Sequence, residues 1–285
     1  MYVCLNGQFV PEEQAVVSVF DRGFLYGDGL FETMRLCHGQ PFRWQQHLER
    51  LERAAEFLGI ALAFSSRTLR GFVAELVDRN QMPEALLRLT LSRGVGRRGY
   101  SPRGAEHPTL VIALHPAPAL NLQPPPQWRL VTSSCRLPAG EPLAQFKTCN
   151  KLPQILARAQ ADAAGADEAL LLNTDGYVVE GSSSNLFWLS DQAVCTPPLA
   201  SGILAGVTRQ VVLELCQRRG FCLRETTITP PELQRVEGVF VSLSSVGIAE
   251  AGWLEGQPLR RSPLVAQLRS EYTDLLAAET GSAER

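Results

Sequence analysis

The stretch from Phe146 to Asn185 constrains this chain more than any other, because it places an amine, an acid and a polar loop close together. It opens with Phe146-Lys147-Thr148-Cys149-Asn150 and closes with Glu180-Gly181-Ser182-Ser183-Ser184-Asn185. Apolar residues recur between these ends at helical spacing, at Leu152, Ile155, Leu156, Ala159 and Ala163. This spacing predicts a helix whose apolar side packs against another element and holds Lys147 near it.

The end of the stretch reads as a β-hairpin. Ala169 to Leu172 is apolar enough for a buried strand, Asp175-Gly176 is typical of a tight turn, and Tyr177 to Val179 reads as the return strand. Glu180 then lies at a strand end. A lone lysine is usually a solvated surface group. A loop lysine, a strand-borne acid and a run of hydroxyls together suggest an enzyme that forms a Schiff base, although spacing alone does not decide this.

Bulk properties predict a soluble, cytoplasmic protein with two ordinary domains. The chain has 285 residues, of which 45% are hydrophobic and 20% charged, and its net charge of −2 argues against a nucleic-acid or acidic membrane partner. The start of the chain lacks the features of a signal peptide, and no run is long enough to span a bilayer. Seven scattered cysteines without a Cys-x-x-Cys pair argue against zinc and against a disulfide framework. We expect no metal.

The domain boundary is expected at a proline-rich segment. Residues 116–127 carry five prolines and no periodicity, which is typical of an extended linker. Residues 1–115 would then form an N-terminal α/β domain, and residues 128–285 a C-terminal domain that binds the cofactor. Small-molecule sites often lie between domains, so we expect the pocket there.

Periodicity predicts several elements along the chain. An apolar stripe predicts a helix over 44–58 that Gly59 ends. The other predicted elements are a hairpin at 3–10, strands at 30–36, 85–92, 109–114 and 128–133, a helix at 67–79, an amphipathic helix after 201–209, and a last strand at 238–242.

Several motifs resemble one enzyme family. They are Phe146-Lys147 with Asn150, Ala166-Asp167-Glu168-Ala169-Leu170, and Val179-Glu180-Gly181 with Ser184-Asn185-Leu186-Phe187. Together they resemble the active-site signature of the fold-type IV enzymes that use pyridoxal 5'-phosphate. This family includes branched-chain and D-amino-acid aminotransferases and aminodeoxychorismate lyase. The resemblance implies a two-domain α/β fold with a smaller N-terminal domain and a larger C-terminal domain, and it implies a homodimer.

The resemblance also implies roles for individual residues around the cofactor. Lys147 would bind pyridoxal phosphate covalently and, once displaced by substrate, remove the Cα proton. Glu180 would face the pyridine nitrogen and keep it protonated. Arg50, in His47-Leu48-Glu49-Arg50, matches the phosphate-binding arginine, whose planar fork can donate two parallel hydrogen bonds. The remaining cofactor contacts would come from Gly206, Val207, Thr208 and Ser244.

Two glycine-rich loops are implied to meet the substrate. The Asp21 to Gly29 loop, with Tyr26, resembles the loop that lines the substrate side of the family's pocket. The segment Arg98-Gly99-Tyr100-Ser101 resembles the loop of aminodeoxychorismate lyases in which an arginine meets a substrate carboxylate. Arg98 is preferred to its neighbour Arg97 for this role. Thr33 matches the threonine of these lyases, where branched-chain aminotransferases carry glycine.

The resemblance leaves the reaction open between two outcomes. Thr33 and the Arg98 to Ser101 loop favour a lyase that converts 4-amino-4-deoxychorismate into 4-aminobenzoate and pyruvate for folate synthesis. Leu243, where the lyases carry asparagine, the lack of a proline around 249–251, and the 180–185 loop favour an aminotransferase that acts on branched-chain or D-amino acids with a 2-oxo acid acceptor. A non-catalytic relative that only retains the cofactor is a third reading.

Overall fold

The computed structural model describes residues 1–120 and 125–281. Residues 121–124 of the expected linker lie outside this description. The chain divides into two compact units, each built from more than one segment. Unit 1 comprises Met1–Ala117, Phe146–Asn150 and the described part of Leu276–Arg285, and unit 2 comprises Pro118–Gln145 and Lys151–Leu275. The five-residue segment that carries Lys147 therefore belongs to unit 1, although residues on either side of it belong to unit 2.

Unit 1 is built on a six-stranded sheet with the strand order β2-β1-β6-β5-β3-β4. Its strands are β1 (Tyr2–Leu5), β2 (Gln8–Pro11), β3 (Gly29–Cys37), β4 (Gln40–Pro41), β5 (Ala85–Ser92) and β6 (Thr109–Pro116). Its helices are α1 (Arg22–Tyr26), α2 (Trp44–Leu58) and α3 (Ser66–Asn80). The hairpin, helices and strands predicted for this part of the chain are confirmed to within a few residues.

Helix α2 shows why the sequence prediction holds locally. Its apolar residues Trp44, Leu48, Leu51 and Ala55 are buried in the core of unit 1. Gly59 adopts a left-handed conformation with φ 64°, and its N–H bonds the carbonyls of Ala55 and Glu56. A residue without a Cβ adopts this conformation at little cost, which is why glycine ends the helix.

The centre of the unit 1 sheet is the long antiparallel pair of β3 and β5, which runs in register from Gly29 opposite Ser92 to Leu36 opposite Ala85. On β5, Ala85, Leu87, Leu89 and Leu91 are buried while the residues between them are half-buried. This two-residue period places Arg88 and Thr33, which are directly opposite each other, on the same side of the sheet.

Unit 2 contains a nine-stranded mixed sheet with the order β12-β11-β10-β13-β14-β7-β8-β9, with β15 paired to β14 and a further pairing between β9 and β10. Its strands are β7 (Trp128–Leu137), β8 (Glu168–Asn173), β9 (Val178–Gly181), β10 (Asn185–Ser190), β11 (Ala193–Thr196), β12 (Cys222–Glu225), β13 (Gly238–Leu243), β14 (Gly247–Leu254) and β15 (Gln257–Pro258). The prediction that 238–242 is the last strand is wrong, because β14 pairs with both β13 and β7.

The remaining helices are α4 (Leu152–Ala163), α5 (Val207–Arg218), α6 (Pro230–Leu233) and α7 (Pro263–Thr280). The amphipathic helix predicted after 201–209 is confirmed as α5, with Val211, Val212, Leu215 and Cys216 buried. None of the helices in the described part of the chain combines the length and apolar character needed to cross a bilayer.

Helix α4 forms where the spacing predicts it, but the buried face differs from the expected one. Leu152, Ile155 and Leu156 are exposed by 71%, 59% and 55%. Ala157 and Ala161 are instead the residues that pack into the core beside β7 and β8. Alanine on the inner face lets the helix approach the sheet closely, and the larger apolar side chains are left on the outside of this chain.

Candidate active site

Lys147 is held against the inner strand β3 of unit 1. The backbone N–H of Phe31 donates to the Lys147 carbonyl at 2.9 Å, and the Cys149 N–H donates to the Gly29 carbonyl at 2.9 Å. The Phe146 side chain before it is buried in the unit 1 core. These contacts fix the lysine backbone, while its half-buried side chain places Nζ 4.6 Å from the centroid of the Phe31 ring. The ring face is electron-rich and attracts a cationic amine.

A second cation approaches the same ring. The Arg88 Cζ atom lies 3.9 Å from the Phe31 centroid. Burial lowers the pKa of the Arg88 guanidinium, and the negative charge of a Cys149 thiolate opposes this shift. No motif in the sequence pointed to Arg88. The available signal was that Arg88 is the one charged residue of the strand Ala85–Ser92.

Thr33 lies on β3, two residues beyond Phe31 and therefore on the same face of the strand. It is the one half-buried residue of β3, whose other residues are all buried. Its register partner is Arg88. The structure thus places the predicted threonine on the sheet face that also carries Phe31 and Arg88.

Arg50 belongs to a buried charged cluster that sequence analysis did not anticipate. Its Nε donates to Glu32 Oε1 at 2.8 Å and its Nη2 donates to Glu32 Oε2 at 2.6 Å. His47, one turn earlier on α2, meets Glu32 Oε2 through Nδ1 at 2.7 Å. The Nε–Nη2 edge of the Arg50 guanidinium is therefore engaged by the Glu32 carboxylate, and the phosphate-binding role expected of Arg50 stays a prediction.

Burial and neighbouring charges together set the pKa values of Glu32 and His47. Burial alone would raise the pKa of Glu32, but the Arg50 charge and the contact with His47 outweigh it and lower the pKa from 4.5 to about 2. Burial lowers the pKa of His47; Glu32 opposes that shift, and the charges of Arg50 and Lys147 add to it. Glu32 is therefore ionised and His47 neutral at physiological pH, so the His47 Nδ1–H donates to the carboxylate.

The two predicted substrate loops meet each other within unit 1. The Tyr26 hydroxyl accepts the Gly99 N–H at 3.2 Å, and the Tyr26 and Tyr100 rings form an edge contact with centroids 5.7 Å apart. Tyr100 is 87% exposed. Arg97 and Arg98 are both exposed, and neither forms an ion pair within residues 1–120 and 125–281. Exposure therefore does not favour one arginine over the other.

In unit 2, the predicted cofactor acid Glu180 lies near the end of β9 and is buried. Its Oε2 accepts the Leu204 N–H at 2.9 Å. Asn185 pairs with Glu180 across the sheet, and its Nδ2 donates to the Leu204 carbonyl at 3.0 Å. The two side chains together fix the loop that leads into α5.

The start of α5 has the features of an anion-binding turn. Gly206 is the N-cap, and no side chain caps the helix. A Cβ at Gly206 would lie 2.0 Å from Asn185 Oδ1, so the close approach requires glycine. Val207 begins the helix and Thr208 is buried in its first turn. Uncapped N–H groups at a helix start favour a phosphate.

Ser244 lies in the turn of the hairpin formed by β13 and β14. It is half-buried, as is Leu243 before it. Two residues earlier on β13, the Ser242 Oγ is buried and has no hydrogen-bond partner among the described residues. A buried hydroxyl without a partner is costly, which is consistent with a polar group that the bound state would supply.

Glu168 was singled out only as part of a motif, yet it organises the serine loop between β9 and β10. Its carboxylate is fully buried. Oε1 accepts from the Ala169 N–H, the Ser182 N–H and the Ser182 hydroxyl, and Oε2 accepts from the Ser183 N–H, the Ser183 hydroxyl and the Ser184 hydroxyl. Six donors therefore satisfy one buried acid, and the loop that follows Glu180 is built around it.

The residues present fit pyridoxal phosphate. Unit 1, taken by itself, contains an amine held on β3 and an ordered arginine. Unit 2, taken by itself, contains a buried acid near a strand end, a helix start without a side-chain cap, and a buried hydroxyl that has no partner among the described residues. Amines, cations, acids and unpaired N–H groups are the group types that this cofactor's aldehyde, phosphate and pyridine nitrogen require. The individual roles assigned to Lys147, Glu180, Arg50, Gly206, Val207, Thr208 and Ser244 stay predictions, as do those of Thr33, Tyr26, Arg98 and Tyr100.

Comparison with known proteins places the chain in a family. Residues 29–251 match the model of the amino-transferase class IV family. The chain belongs to this family. This confirms the resemblance drawn from the Lys147, Glu180 and Ser184-Asn185 motifs and the mixed α/β architecture that it implied.

The similar proteins are named for different activities. A Methanocaldococcus jannaschii protein, named provisionally as a branched-chain-amino-acid aminotransferase, is 34% identical over 96% of this chain and 96% of its own. The aminodeoxychorismate lyase of Vibrio harveyi is 34% identical over 83% of this chain and 86% of its own. Among solved structures, the branched-chain aminotransferase of the archaeon Thermoproteus uzoniensis with norvaline superposes with a TM-score of 0.90 at 30% identity, covering 100% of this chain and 96% of that one.

Proposed function

We propose that this chain is a 4-amino-4-deoxychorismate lyase that depends on pyridoxal 5'-phosphate, and that it releases pyruvate and 4-aminobenzoate for folate synthesis. The observation that carries the proposal is the face of β3. Lys147 Nζ lies 4.6 Å from the Phe31 centroid, and the Thr33 hydroxyl group follows two residues later on the same face. A base and a neutral proton donor on one face are what a proton-coupled elimination needs.

The cofactor of this family is pyridoxal phosphate, which when bound supplies a ring that accepts electrons from the substrate Cα. Lys147 is held by backbone hydrogen bonds to β3 and would take the Cα proton. Loss of that proton drives cleavage of the bond between the ring and the enol-ether oxygen. Thr33 would pass a proton to the leaving oxygen, and the enol released becomes pyruvate.

Cations around the site support a substrate with two carboxylates. Arg88 lies over the Phe31 ring and opposite Thr33. In the described part of the chain, Arg88 forms no ion pair with an acid. Arg98 on the exposed loop is the second candidate for a carboxylate contact. 4-Amino-4-deoxychorismate carries one carboxylate on its ring and one on its enolpyruvyl group, so two separate cations match it.

The second candidate is a class IV aminotransferase acting on branched-chain or D-amino acids with a 2-oxo acid acceptor. The chain matches, over almost its full length, an archaeal relative that is named as a branched-chain aminotransferase. Leu243 also ends β13 where the lyase pattern has asparagine. In this reaction Lys147 would remove the Cα proton and later give it up again, and no leaving group would be expelled.

The test is release of pyruvate from 4-amino-4-deoxychorismate by the purified, cofactor-loaded protein without any 2-oxo acid. The lyase predicts equal amounts of pyruvate and 4-aminobenzoate over many turnovers. If the protein is an aminotransferase, neither pyruvate nor 4-aminobenzoate is released. An amino group is instead transferred from an amino acid to 2-oxoglutarate or pyruvate. Loss of the cofactor absorption band in Lys147→Ala is the control for cofactor attachment.

Thr33 sharpens the distinction between the two reactions. Thr33→Val keeps the side-chain shape and removes the hydroxyl, so lyase turnover should fall by roughly 10²–10⁴-fold, the usual range for a lost proton donor. Thr33→Ser keeps the hydroxyl and should retain most of the activity. Lyase activity unchanged in Thr33→Val would remove Thr33 from the mechanism.

We also infer that the protein forms a homodimer. The apolar side chains of α4 that the sequence placed in the core, Leu152, Ile155 and Leu156, are exposed in the single chain. Phe20 and Phe24 in unit 1 are exposed as well. Contiguous exposed apolar residues are typical of protein interfaces, and a two-fold pair is the commonest soluble assembly.

A further inference from the structure

Arg22 is a buried arginine that contacts the backbone of a distant loop. The guanidinium is almost completely shielded from solvent. Nη1 donates to the Gly99 carbonyl at 2.9 Å and to the Ser101 carbonyl at 3.2 Å, and Nη2 donates to the Tyr100 carbonyl at 3.1 Å. One side chain therefore holds three consecutive carbonyls of the segment predicted to meet a substrate carboxylate.

The Arg22 guanidinium is itself held in place by Asp28. Arg22 Nε donates to Asp28 Oδ2 at 2.7 Å, and Arg93 Nε donates to the same oxygen at 2.8 Å. Burial alone would raise the pKa of Asp28, but hydrogen bonds and charge from Arg93 and Arg22 outweigh it and lower the pKa. Arg93 continues to the carbonyls of Leu58 and Gly59 at the end of α2, both at 2.8 Å. The anchor thus extends to the packed part of unit 1.

Local packing around Arg22 is equally specific. Its Cζ lies 5.0 Å from the Tyr26 ring centroid, and the Tyr26 hydroxyl accepts the Gly99 N–H. A Cβ at Gly96 would lie 2.8 Å from Arg22 Cδ, so the loop passes over the arginine stem only with glycine there. The Gly99 backbone is therefore held at two points. Its carbonyl accepts from Arg22, and its N–H donates to the Tyr26 hydroxyl.

The backbone of this loop is hydrogen-bonded to Arg22 and Tyr26, but its side chains are exposed to solvent. Arg97, Arg98 and Tyr100 are exposed. The backbone is held by hydrogen bonds, while Arg97 and Arg98 form no ion pair with an acid in residues 1–120 and 125–281. A site that binds an anion gains affinity when its donors are ordered beforehand, because less conformational entropy is lost on binding.

We propose that Arg22 is the positioning residue that holds the Gly99–Ser101 backbone, so that the arginines of this loop are presented to a substrate carboxylate. The carboxylate role of the loop rests on the proposed function. The requirement for arginine follows from geometry: a planar guanidinium reaches three carbonyls and a carboxylate at once, whereas a lysine ammonium has only three donors at one point.

The first experiment measures protection of the loop. Arg22→Lys is compared with Arg70→Lys, an exposed arginine of unit 1 whose guanidinium donates to the side chain of Gln40. Both folded holoproteins are treated with trypsin, and cleavage after Arg97 and Arg98 is followed by mass spectrometry. Loss of hydrogen bonds from a charged donor should raise cleavage of Arg22→Lys by about tenfold or more, whereas Arg70→Lys should match the wild type.

The second experiment separates positioning from general damage. Arg22→Lys should raise KM for the carboxylate substrate by about tenfold with kcat changed little, because binding and not chemistry depends on the loop. The cofactor absorption band and its pH profile should be those of the wild type. Unchanged cleavage and unchanged KM in the folded variant would overturn the proposal.

Tyr26→Phe provides a milder probe if Arg22→Lys does not fold. It removes only the hydrogen bond that the Tyr26 hydroxyl accepts from the Gly99 N–H, and it should raise cleavage after Arg98 by a smaller factor. Cleavage as slow as in the wild type would contradict the proposal that hydrogen bonds to Arg22 and Tyr26 hold the loop backbone. Failure of the proposed function has a different signature. The wild type would then release no pyruvate from 4-amino-4-deoxychorismate, while protection of the loop from trypsin would still depend on Arg22.

Discussion

At the scale of single residues, three acids to which the sequence assigned no role of their own hold the candidate site residues in place. Glu32 fixes Arg50, Asp28 fixes Arg22, and Glu168 fixes the serine loop. Each is buried or half-buried and accepts several hydrogen bonds. A residue-by-residue comparison with a family assigns contacts to the cofactor, but it does not reveal which groups hold those contacts in place.

Glu32 carries a prediction about stability and pH. Glu32→Gln leaves the buried Arg50 charge uncompensated, and breaking such a pair typically costs about 3–5 kcal/mol. Glu49→Gln, an exposed position on the same helix as Arg50, should cost little. We expect the difference in unfolding free energy between wild type and Glu32→Gln to be large at pH 7.

The sign of the pH dependence follows from the lowered pKa. Because the pKa of Glu32 falls from 4.5 to about 2 on folding, its ionised form stabilises the folded state above pH 4.5. That contribution is lost as the pH falls from 4.5 towards 2. Urea unfolding at several pH values measures it; a constant difference between the two proteins from pH 7 to pH 3 would contradict the assignment.

At the scale of elements, the loop between β9 and β10 depends on one carboxylate. Each Glu168 oxygen accepts three donors. In Glu168→Gln one oxygen becomes an NH₂ group that faces three donors and accepts none, and each unsatisfied buried group costs about 1–3 kcal/mol. The loop after Glu180 should loosen.

The measurement is thermal unfolding together with cofactor retention on dialysis. We expect Glu168→Gln to unfold at lower temperature and to lose pyridoxal phosphate faster than the wild type. Glu237→Gln, an exposed glutamate of the same unit, is the matched control. Full stability and full retention in Glu168→Gln would show that the serine loop does not depend on the carboxylate.

At the scale of the whole molecule, the exposed stripe of α4 predicts an assembly. The wild type should have twice the 31.3 kDa mass of one chain in light scattering. Ile155→Glu places a charge in the middle of the apolar stripe and should shift the protein towards the monomer, because burying an unpaired charge is costly. Gln217→Glu on α5 adds the same charge at an exposed polar position and should leave the mass unchanged. A wild-type monomer would refute the homodimer.

The sequence by itself determined the family and those elements whose apolar period is strong. The period of the apolar residues placed α2, β5 and α5, and glycine marked the end of α2, because local backbone preferences and amphipathic spacing act over a few residues. The motifs around Lys147 and Glu180 identified the family, because they preserve the chemistry that the site requires.

Only the tertiary structure decided which face of an element is buried and which partners a polar group finds. Apolar spacing in α4 placed Leu152, Ile155 and Leu156 inside, but the close helix–sheet contact accepts only Ala157 and Ala161 there. The partner of Arg50 is on β3, and those of Arg22 are residues far away along the chain. Contacts between distant segments depend on how the sheets register and pack, and no local pattern in the sequence encodes them.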